Sequence, residues 1–257
     1  MNSNAANLHK LLSQTQKRLK KAPEGSIQVQ NRKSGVYFIH RSVDSDGSEC
    51  ISYIKKSDAK TISALTDKKY CLALEKVLKE EIYASDAGKI FDETLKFRVY
   101  DNLPEGLKAY VTPLCKSPEY ICKEWQSEPF ASNPYDFDIK SEMISIRGER
   151  VRSRAECIIA DHLNSFGLAY RYEAAYYTID GSTLYPDFTI MHPETNELYY
   201  LEYWGLMGDM DYVDHFVSKM NRYLKSGMGS HLISIFENDA NPFDTKLLDA
   251  VIKEYFF

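Results

Sequence analysis

Apolar positions near the start of the chain recur at helical spacing. Leu8, Leu11, Leu12 and Leu19 share one side of a helix predicted over residues 5–22, and Lys17, Arg18, Lys20 and Lys21 crowd its C-terminal end, where the helix dipole favours cations. Ala22-Pro23-Glu24-Gly25 ends it. Extended runs follow at 26–30, 35–41 and 50–55, with turn-rich links at 31–34 and 42–49, so a three-stranded antiparallel meander is expected. Ser57-Asp58 caps a long helix over 59–83. Residues 86–127 read as further helix, interrupted at Pro104-Glu105-Gly106 and Pro113, with a new start at Ser117-Pro118-Glu119. Residues 129–134 read as loop.

Beyond residue 140 the pattern changes. A short strand is predicted at 143–146, a charged turn at 147–152, and an amphipathic helix at 153–166 with Ile158, Ile159, His162, Leu163 and Phe166 on one side, stopping at Gly167. Residues 170–178 are extended, 184–191 and 198–204 are strands, 211–225 is a helix, 231–236 a strand and 244–256 a last helix. Three strands in a meander followed by a crossover helix and a fourth strand make an α/β arrangement with a mixed sheet. The expected organisation is a basic helix, three-stranded sheet and helix module over 1–83, a helical connector over 84–140, and a separate domain over 141–257. No internal repeat or low-complexity segment interrupts it.

Composition narrows the class. The chain has 257 residues, 44% hydrophobic and 27% charged, which excludes collagen-like, mucin-like and wholly disordered chains. Its apolar runs are far short of the ~20 residues that span a bilayer, so no membrane partner is expected. Met1-Asn2-Ser3-Asn4 does not open a signal peptide. The 5 cysteines include no Cys-x-x-Cys pair and no zinc spacing, which fits isolated reduced thiols in a cytoplasmic protein.

The net charge of −5 hides a split. Residues 1–69 carry 13 Lys/Arg against 6 Asp/Glu, whereas residues 143–257 carry 10 against 17. A basic front end on an acidic chain points to a polyanion contact there, with a solvated helix face and lysine-rich hairpin as the plain alternative.

Three carboxylates stand out in the second half. Glu156 lies in the first turn of its helix, Asp187 follows Pro186, and Glu202 sits within Tyr199-Tyr200-Leu201-Glu202-Tyr203-Trp204-Gly205. A carboxylate in such an apolar run needs a partner or a cation. Adjacent strands can bring Asp187 and Glu202 side by side, where a divalent metal or a proton must separate them. Oxygen ligands of this kind suit Mg²⁺ or Mn²⁺. Singly, Glu156 also reads as an ordinary first-turn acid and Asp187 as a turn residue after proline. Glu173, in the first strand of this half, either contacts the site or pairs with an arginine. The histidines at 9, 40, 162, 192, 215 and 231 share no ligand spacing, and Trp125 and Trp204 read as core.

Arg152-Ser153-Arg154-Ala155-Glu156, Tyr185-Pro186-Asp187-Phe188-Thr189 and Glu202-x-Trp204-Gly205-x-Met207, in this element order, resemble the PD-(D/E)XK nucleases, and among them a bacterial branch in which Glu-His-Phe-Gly replaces the usual Glu-x-Lys. The resemblance covers residues 140–257 and implies a restriction-endonuclease-like α-β-β-β-α-β core with helices flanking a mixed sheet. It implies Mg²⁺- or Mn²⁺-dependent phosphodiester hydrolysis, with Asp187, Glu202 and the Tyr203 carbonyl holding the metal and Glu156 acting through water or a second ion. The motif lysine is missing: Trp204 stands two residues after Glu202, and Tyr203 replaces the branch's histidine. Lys219 on the following helix is the substitute this implies, with Arg154 a second source of positive charge. The implied partners are nucleic acid, double-stranded DNA first, and a second copy of the chain. A non-catalytic nucleic-acid-binding protein on a degenerate nuclease fold is the alternative.

The front module resembles the small sheet-plus-helix modules at the N-terminus of tyrosine recombinases, which lay their sheet in the DNA major groove. By that resemblance Arg32, Lys33, Arg41, Lys55 and Lys56, with Tyr37, Phe38 and Tyr53 between them, would contact DNA.

Overall fold

A computed structural model describes residues 3–134 and 143–257. The chain divides into two compact units, Met1–Ser117 and Pro118–Phe257. Residues 84–117 of the expected connector therefore belong to the first unit and residues 118–134 to the second. The rest of that connector, with the boundary expected at 140, lies outside the described residues.

In the first unit, α1 (Ser3–Leu19) packs its leucines on α2 (Ala59–Asp86) through Tyr70, Cys71, Leu74 and Leu78. An ion pair from Arg18 to Asp67 (2.8 Å) adds to that contact. The helix stops three residues before the expected 22, where the Lys21 N–H donates to the Arg18 carbonyl (3.1 Å) and the Ala22 N–H to the Leu19 carbonyl (3.0 Å), tightening the last turn ahead of Pro23. Asp58 caps α2 by accepting from the Thr61 N–H (3.2 Å). Strands β1 (Ser26–Arg32), β2 (Gly35–Val43) and β3 (Glu49–Ile54) form the expected antiparallel meander in order β1-β2-β3. Ile27 and Phe38 bury against Ile62 and Leu65 of α2. Two short helices, α3 (Leu95–Asp101) and α4 (Glu105–Lys108), complete the unit. The Tyr70 hydroxyl accepts from the Leu114 and Cys115 N–H groups, clipping the chain before it leaves; burial pushes this phenol up to about 12.

In the second unit, α5 (Pro118–Ser127) begins at the predicted proline and packs Cys122 against Ala169 and Met191. The strand expected at 143–146 is not formed. An isolated bridge between Ile144 and Arg150 flanks a tight turn instead, since Arg147-Gly148-Glu149 folds the chain back at once. Helix α6 (Arg154–Ser165) is capped by Ser153, and Gly167 ends its turn at φ +71°.

Strands β4 (Ala169–Tyr172), β7 (Phe188–Met191), β8 (Leu198–Trp204) and β9 (Leu232–Phe236) form a mixed sheet in order β4-β7-β8-β9. β8 and β9 run parallel, joined over α7 (Met210–Lys225), and the other pairs are antiparallel. The two runs expected to be continuous at 170–178 and 184–191 are both broken. Glu173 turns left-handed and Pro186 lacks a donor, so β5 (Tyr176–Tyr177) and β6 (Thr183–Leu184) leave as a separate hairpin.

Alternation along β8 sets the two faces of the mixed sheet. Leu201 joins the core with Ile159 and Leu163 of α6 and Leu248 and Ile252 of α8 (Thr245–Phe256), while Tyr200 packs with Tyr223 of α7. Glu202 and Trp204 share the α7 face. The fold is thus of mixed α and β content, with one antiparallel and one mixed sheet of more than two strands among the described residues and no barrel. No helix among them is long and apolar enough to cross a membrane, and all five cysteines are free thiols.

Candidate active site

The broken strand ends place acids together. Phe188 pairs with Tyr172 on one side and Leu201 on the other, so Glu173, Asp187 and Glu202, each one residue beyond its paired neighbour, meet at the same end of β4, β7 and β8. The Glu173 N–H donates to the Asp187 carbonyl (3.0 Å), and the Tyr203 N–H donates to Asp187 Oδ2 (2.8 Å). An extended residue projects its N–H and C=O to the same neighbour, so the Tyr203 carbonyl also faces the Asp187 side of β8.

Glu156 reaches the same place from α6. Its Oε2 accepts from the Arg152 N–H (2.9 Å) and the Tyr172 hydroxyl (2.7 Å). Ser153 accepts from the Glu156 N–H, so the pattern is close to a capping box. Glu156, Glu173, Asp187 and Glu202 line one cleft of about 570 Å³, with Lys219 and Arg222 on the α7 side and Arg152 on the other.

Glu202 is 1% exposed. Lys219 Nζ donates to its Oε2 (2.7 Å), and the Tyr223 hydroxyl donates to its Oε1. Lys219 and Tyr223 are one helical turn apart on α7 and so reach the same carboxylate. The Lys219 ammonium also lies 5.5 Å from the centre of the Trp204 ring. A cation carried by α7 therefore stands over the ring of the residue at position 204. Trp204 itself is core, packed edge-on to Phe216 at 4.7 Å, as expected.

The electrostatics follow from this crowding. Burial first, then the Glu202 charge, push the Asp187 carboxyl well above the usual carboxylate range, with Lys219 opposing. Burial also raises Glu202, with Lys219 and Tyr223 holding it back. Burial and the neighbouring carboxylates push the Tyr223 and Tyr172 phenols far up.

The donor set fits a hard cation. Mg²⁺ takes one or two carboxylates and keeps waters. Asp187 Oδ1 and Glu156 Oε1 make no hydrogen bond among the described residues, and the carboxylates outnumber the cations. No group of three or more His, Cys, Asp or Glu side chains is assembled as a ready metal cage among the described residues.

Of the residues expected here, Glu156, Asp187, Glu202, Tyr203 and Lys219 come together. Arg154 does not line this cleft. It is exposed at the first position of α6 and lines an adjoining groove with Tyr203, Glu237 and Phe243. Tyr223, Tyr172, Arg152, His215 and Arg222 were not foreseen. Tyr223 was signalled only by its four-residue spacing from Lys219.

In the first unit, alternation puts Gln28, Gln30, Arg32, Tyr37, Ile39, Arg41, Ile51 and Tyr53 on the sheet face away from α2. The Arg32 guanidinium lies 4.9 Å from the Tyr37 ring centre and 5.7 Å from that of Tyr53. It donates to Gln30 Oε1 and to the Tyr53 hydroxyl (2.9 Å). Arg41 is tied to Glu49 (2.9 Å) and Gln28 (3.1 Å). Lys55 and Lys56 line a groove with Arg32, Tyr37 and Tyr53. Lys33 stands exposed in the two-residue turn between β1 and β2. Phe38, expected between the basic residues, instead points into the core.

Comparison with protein families, with curated proteins and with solved structures finds no match.

Proposed function

We propose that this protein is a divalent-metal-dependent endonuclease that hydrolyses phosphodiester bonds in double-stranded DNA, on a core of the PD-(D/E)XK type. The observation that carries the reading is the ammonium of Lys219, 2.7 Å from Glu202 Oε2 in the cleft that Asp187 and Glu156 share. The element order from α6 through β4, β7, β8 and α7 to β9, with β8 and β9 parallel, supports it.

Asp187, Glu202 and the Tyr203 carbonyl are the residues that would hold Mg²⁺ or Mn²⁺, with Glu156 beside them. Such an ion lowers the pKa of a bound water and offsets charge developing on the phosphate. Lys219 keeps a positive charge where that charge develops, and Tyr223 fixes the orientation of Glu202. Arg222, exposed at the cleft rim and donating to the Thr183 carbonyl (3.1 Å), is placed to touch a neighbouring phosphate. The outer sheet face of the first unit is the proposed grip on the duplex, with Arg32, Lys33, Arg41, Lys55 and Lys56 meeting phosphates. A second copy of the chain would serve the opposite strand.

The test is Mg²⁺-dependent cutting of duplex DNA by wild type, absent in Asp187→Ala and Glu202→Ala, together with calorimetric titration of Mn²⁺. If both variants bind Mn²⁺ as wild type does, the metal site is wrongly assigned. A second reading, a non-catalytic DNA-binding protein, draws on Trp204 at the lysine position and on Lys219 being already paired. Duplex binding with no cutting in either metal would favour it.

A further inference from the structure

Glu173 holds an unusual backbone. Its φ is +45°, a left-handed geometry that glycine takes freely and a glutamate rarely adopts. The other described non-glycine residue with positive φ is an asparagine, Asn196, a type that tolerates it. Glu173 is also 7% exposed, so a carboxylate is buried at a strained position.

Its contacts converge on the cleft. The Arg152 guanidinium grips it with two prongs, Nε to Oε1 (3.1 Å) and Nη2 to Oε2 (3.1 Å). Asn133 Nδ2 approaches Oε1 (3.4 Å), and the Asn133 N–H donates to the Glu173 carbonyl (3.1 Å). Arg152 in turn gives its backbone N–H to Glu156 (2.9 Å). The fork to Glu173 occupies one edge of the guanidinium. Of its five N–H groups, those on Nη1 stay clear of Glu173. The Arg152 side chain is less buried than its partner, and it lines the cleft across from Lys219 and Arg222.

We propose that Arg152 binds a phosphate of the DNA strand on the α6 side of the cleft, and that Glu173, held in its left-handed turn, is the positioning residue that aims it. The inference rests on the nuclease reading and deepens it, since it assigns the cleft wall opposite α7 to the substrate backbone. A fork of N–H donors held rigid on one edge presents the remaining donors in fixed directions, which suits phosphate oxygens.

The test uses Arg152→Ala, Arg152→Lys and Glu173→Gly in the full chain. It reads affinity for a fluorescently labelled duplex in Ca²⁺, cutting in Mg²⁺, and thermal midpoint. Arg152→Ala is expected to weaken duplex binding about tenfold or more, and Arg152→Lys to recover only part, because an ammonium lacks the fork. Glu173→Gly is expected to keep or raise the thermal midpoint, its φ being unstrained for glycine, while losing affinity much as Arg152→Ala does. The double variant should lose little more than either single one.

Wild-type affinity and cutting in Arg152→Ala overturn the proposal. So does a lowered midpoint in Glu173→Gly with full affinity, which would make Glu173 a structural residue. A wild type that neither binds nor cuts duplex DNA overturns the nuclease reading, and this inference with it. A wild type that cuts, alongside an Arg152→Ala that cuts equally well, removes this inference alone.

Discussion

Each unit buries a lysine–glutamate pair of the same length. In the first, Lys96 of α3 meets Glu81 of α2 at 2.7 Å, and in the second Lys219 of α7 meets Glu202 of β8 at 2.7 Å. Both acids are nearly sealed, at 3% and 1% exposure. The difference lies in what surrounds them. Lys96 is shared between Glu81 and the exposed Glu93 at 3.9 Å. Lys219 stands in a cleft with Glu202, Asp187, Glu156 and Glu173; Arg152 is tied to Glu173 and Arg222 lies at the rim, so four acids face three cations. Burial and pairing alone therefore do not mark a site, because the first unit buries such a pair among its helices, where Glu81 Oε2 has no hydrogen-bond partner. A local excess of buried acids opening on a cleft is what the proposed cation would relieve.

The largest effect should separate the two units in opposite directions. Asp187→Asn is expected to lower cutting about a thousandfold or more, since it removes a proposed ion ligand. The same change should raise the thermal midpoint of the metal-free protein, because the folded state disfavours that charge. Glu81→Gln should instead lower the midpoint, a loss of about 3 kcal/mol in stability, leaving Lys96 buried without its charged partner. The pH dependence carries the same sign. The Asp187 and Glu202 carboxyls lie above their ordinary values in the folded state, so the fold binds their protons more tightly than the unfolded chain does. Metal-free protein therefore gains stability from these groups as pH falls through their raised values. The gain is complete below the ordinary carboxylate value and is lost as pH rises back. Mn²⁺ or Asp187→Asn should flatten that slope in a melting series, and a slope unchanged by both would remove the excess-acid account.

Next comes the lysine. Lys219→Met and Lys96→Met should each cost about 3 kcal/mol in denaturant titration, each stranding a buried carboxylate. Only Lys219→Met should also lower kcat, by about a hundredfold or more. Equal activity in the two variants would make Lys219 as structural as Lys96. Tyr223→Phe is a smaller step. It removes one donor from Glu202 while Lys219 remains, and a single hydrogen bond to a charged group predicts a fall in kcat of about tenfold. The apparent affinity for Mn²⁺ should weaken in parallel, which separates orientation of Glu202 from a general loss of packing.

Legibility followed periodicity and failed where single residues broke it. The leucine stripe of α1, the meander and the alternation along β8 were readable because each repeats one side-chain rule over several residues. Lys219 was readable as the only lysine in the helix after β8 before its last turn. The breaks at Glu173 and Pro186 were not foreseen, since six apolar or aromatic neighbours in the first run and five in the second made each look continuous. Those breaks are what free the strand ends on which Glu173 and Asp187 stand. Arg152 and Arg154 look alike in the sequence, because charge there carries no direction. The turn before α6 faces Arg152 to the cleft, and the first helical position carries Arg154 to the next groove. Phe38 was misplaced for a related reason: in a meander, neighbours in sequence lie on opposite faces, and Phe38 follows the outward Tyr37.

The smallest effect concerns the first unit, and it turns the comparison from acids to bases. Arg32 is bracketed by Tyr37 and Tyr53 and keeps neutral hydrogen-bond partners, so its charge is uncompensated on the outer sheet face. Arg41, on the same face, already spends its charge on Glu49. If that face grips DNA through phosphates, Arg32→Ala should weaken duplex binding several-fold and lower the slope of log affinity against log salt by about one. Arg41→Ala should change both less, since DNA must compete with Glu49 for the guanidinium. Neither should alter kcat at saturating DNA, because the chemistry is proposed for acids of the other unit. A fall in kcat with an unchanged salt slope would move Arg32 out of the binding face, and equal slopes for the two arginines would show that the Glu49 pair does not hold in solution.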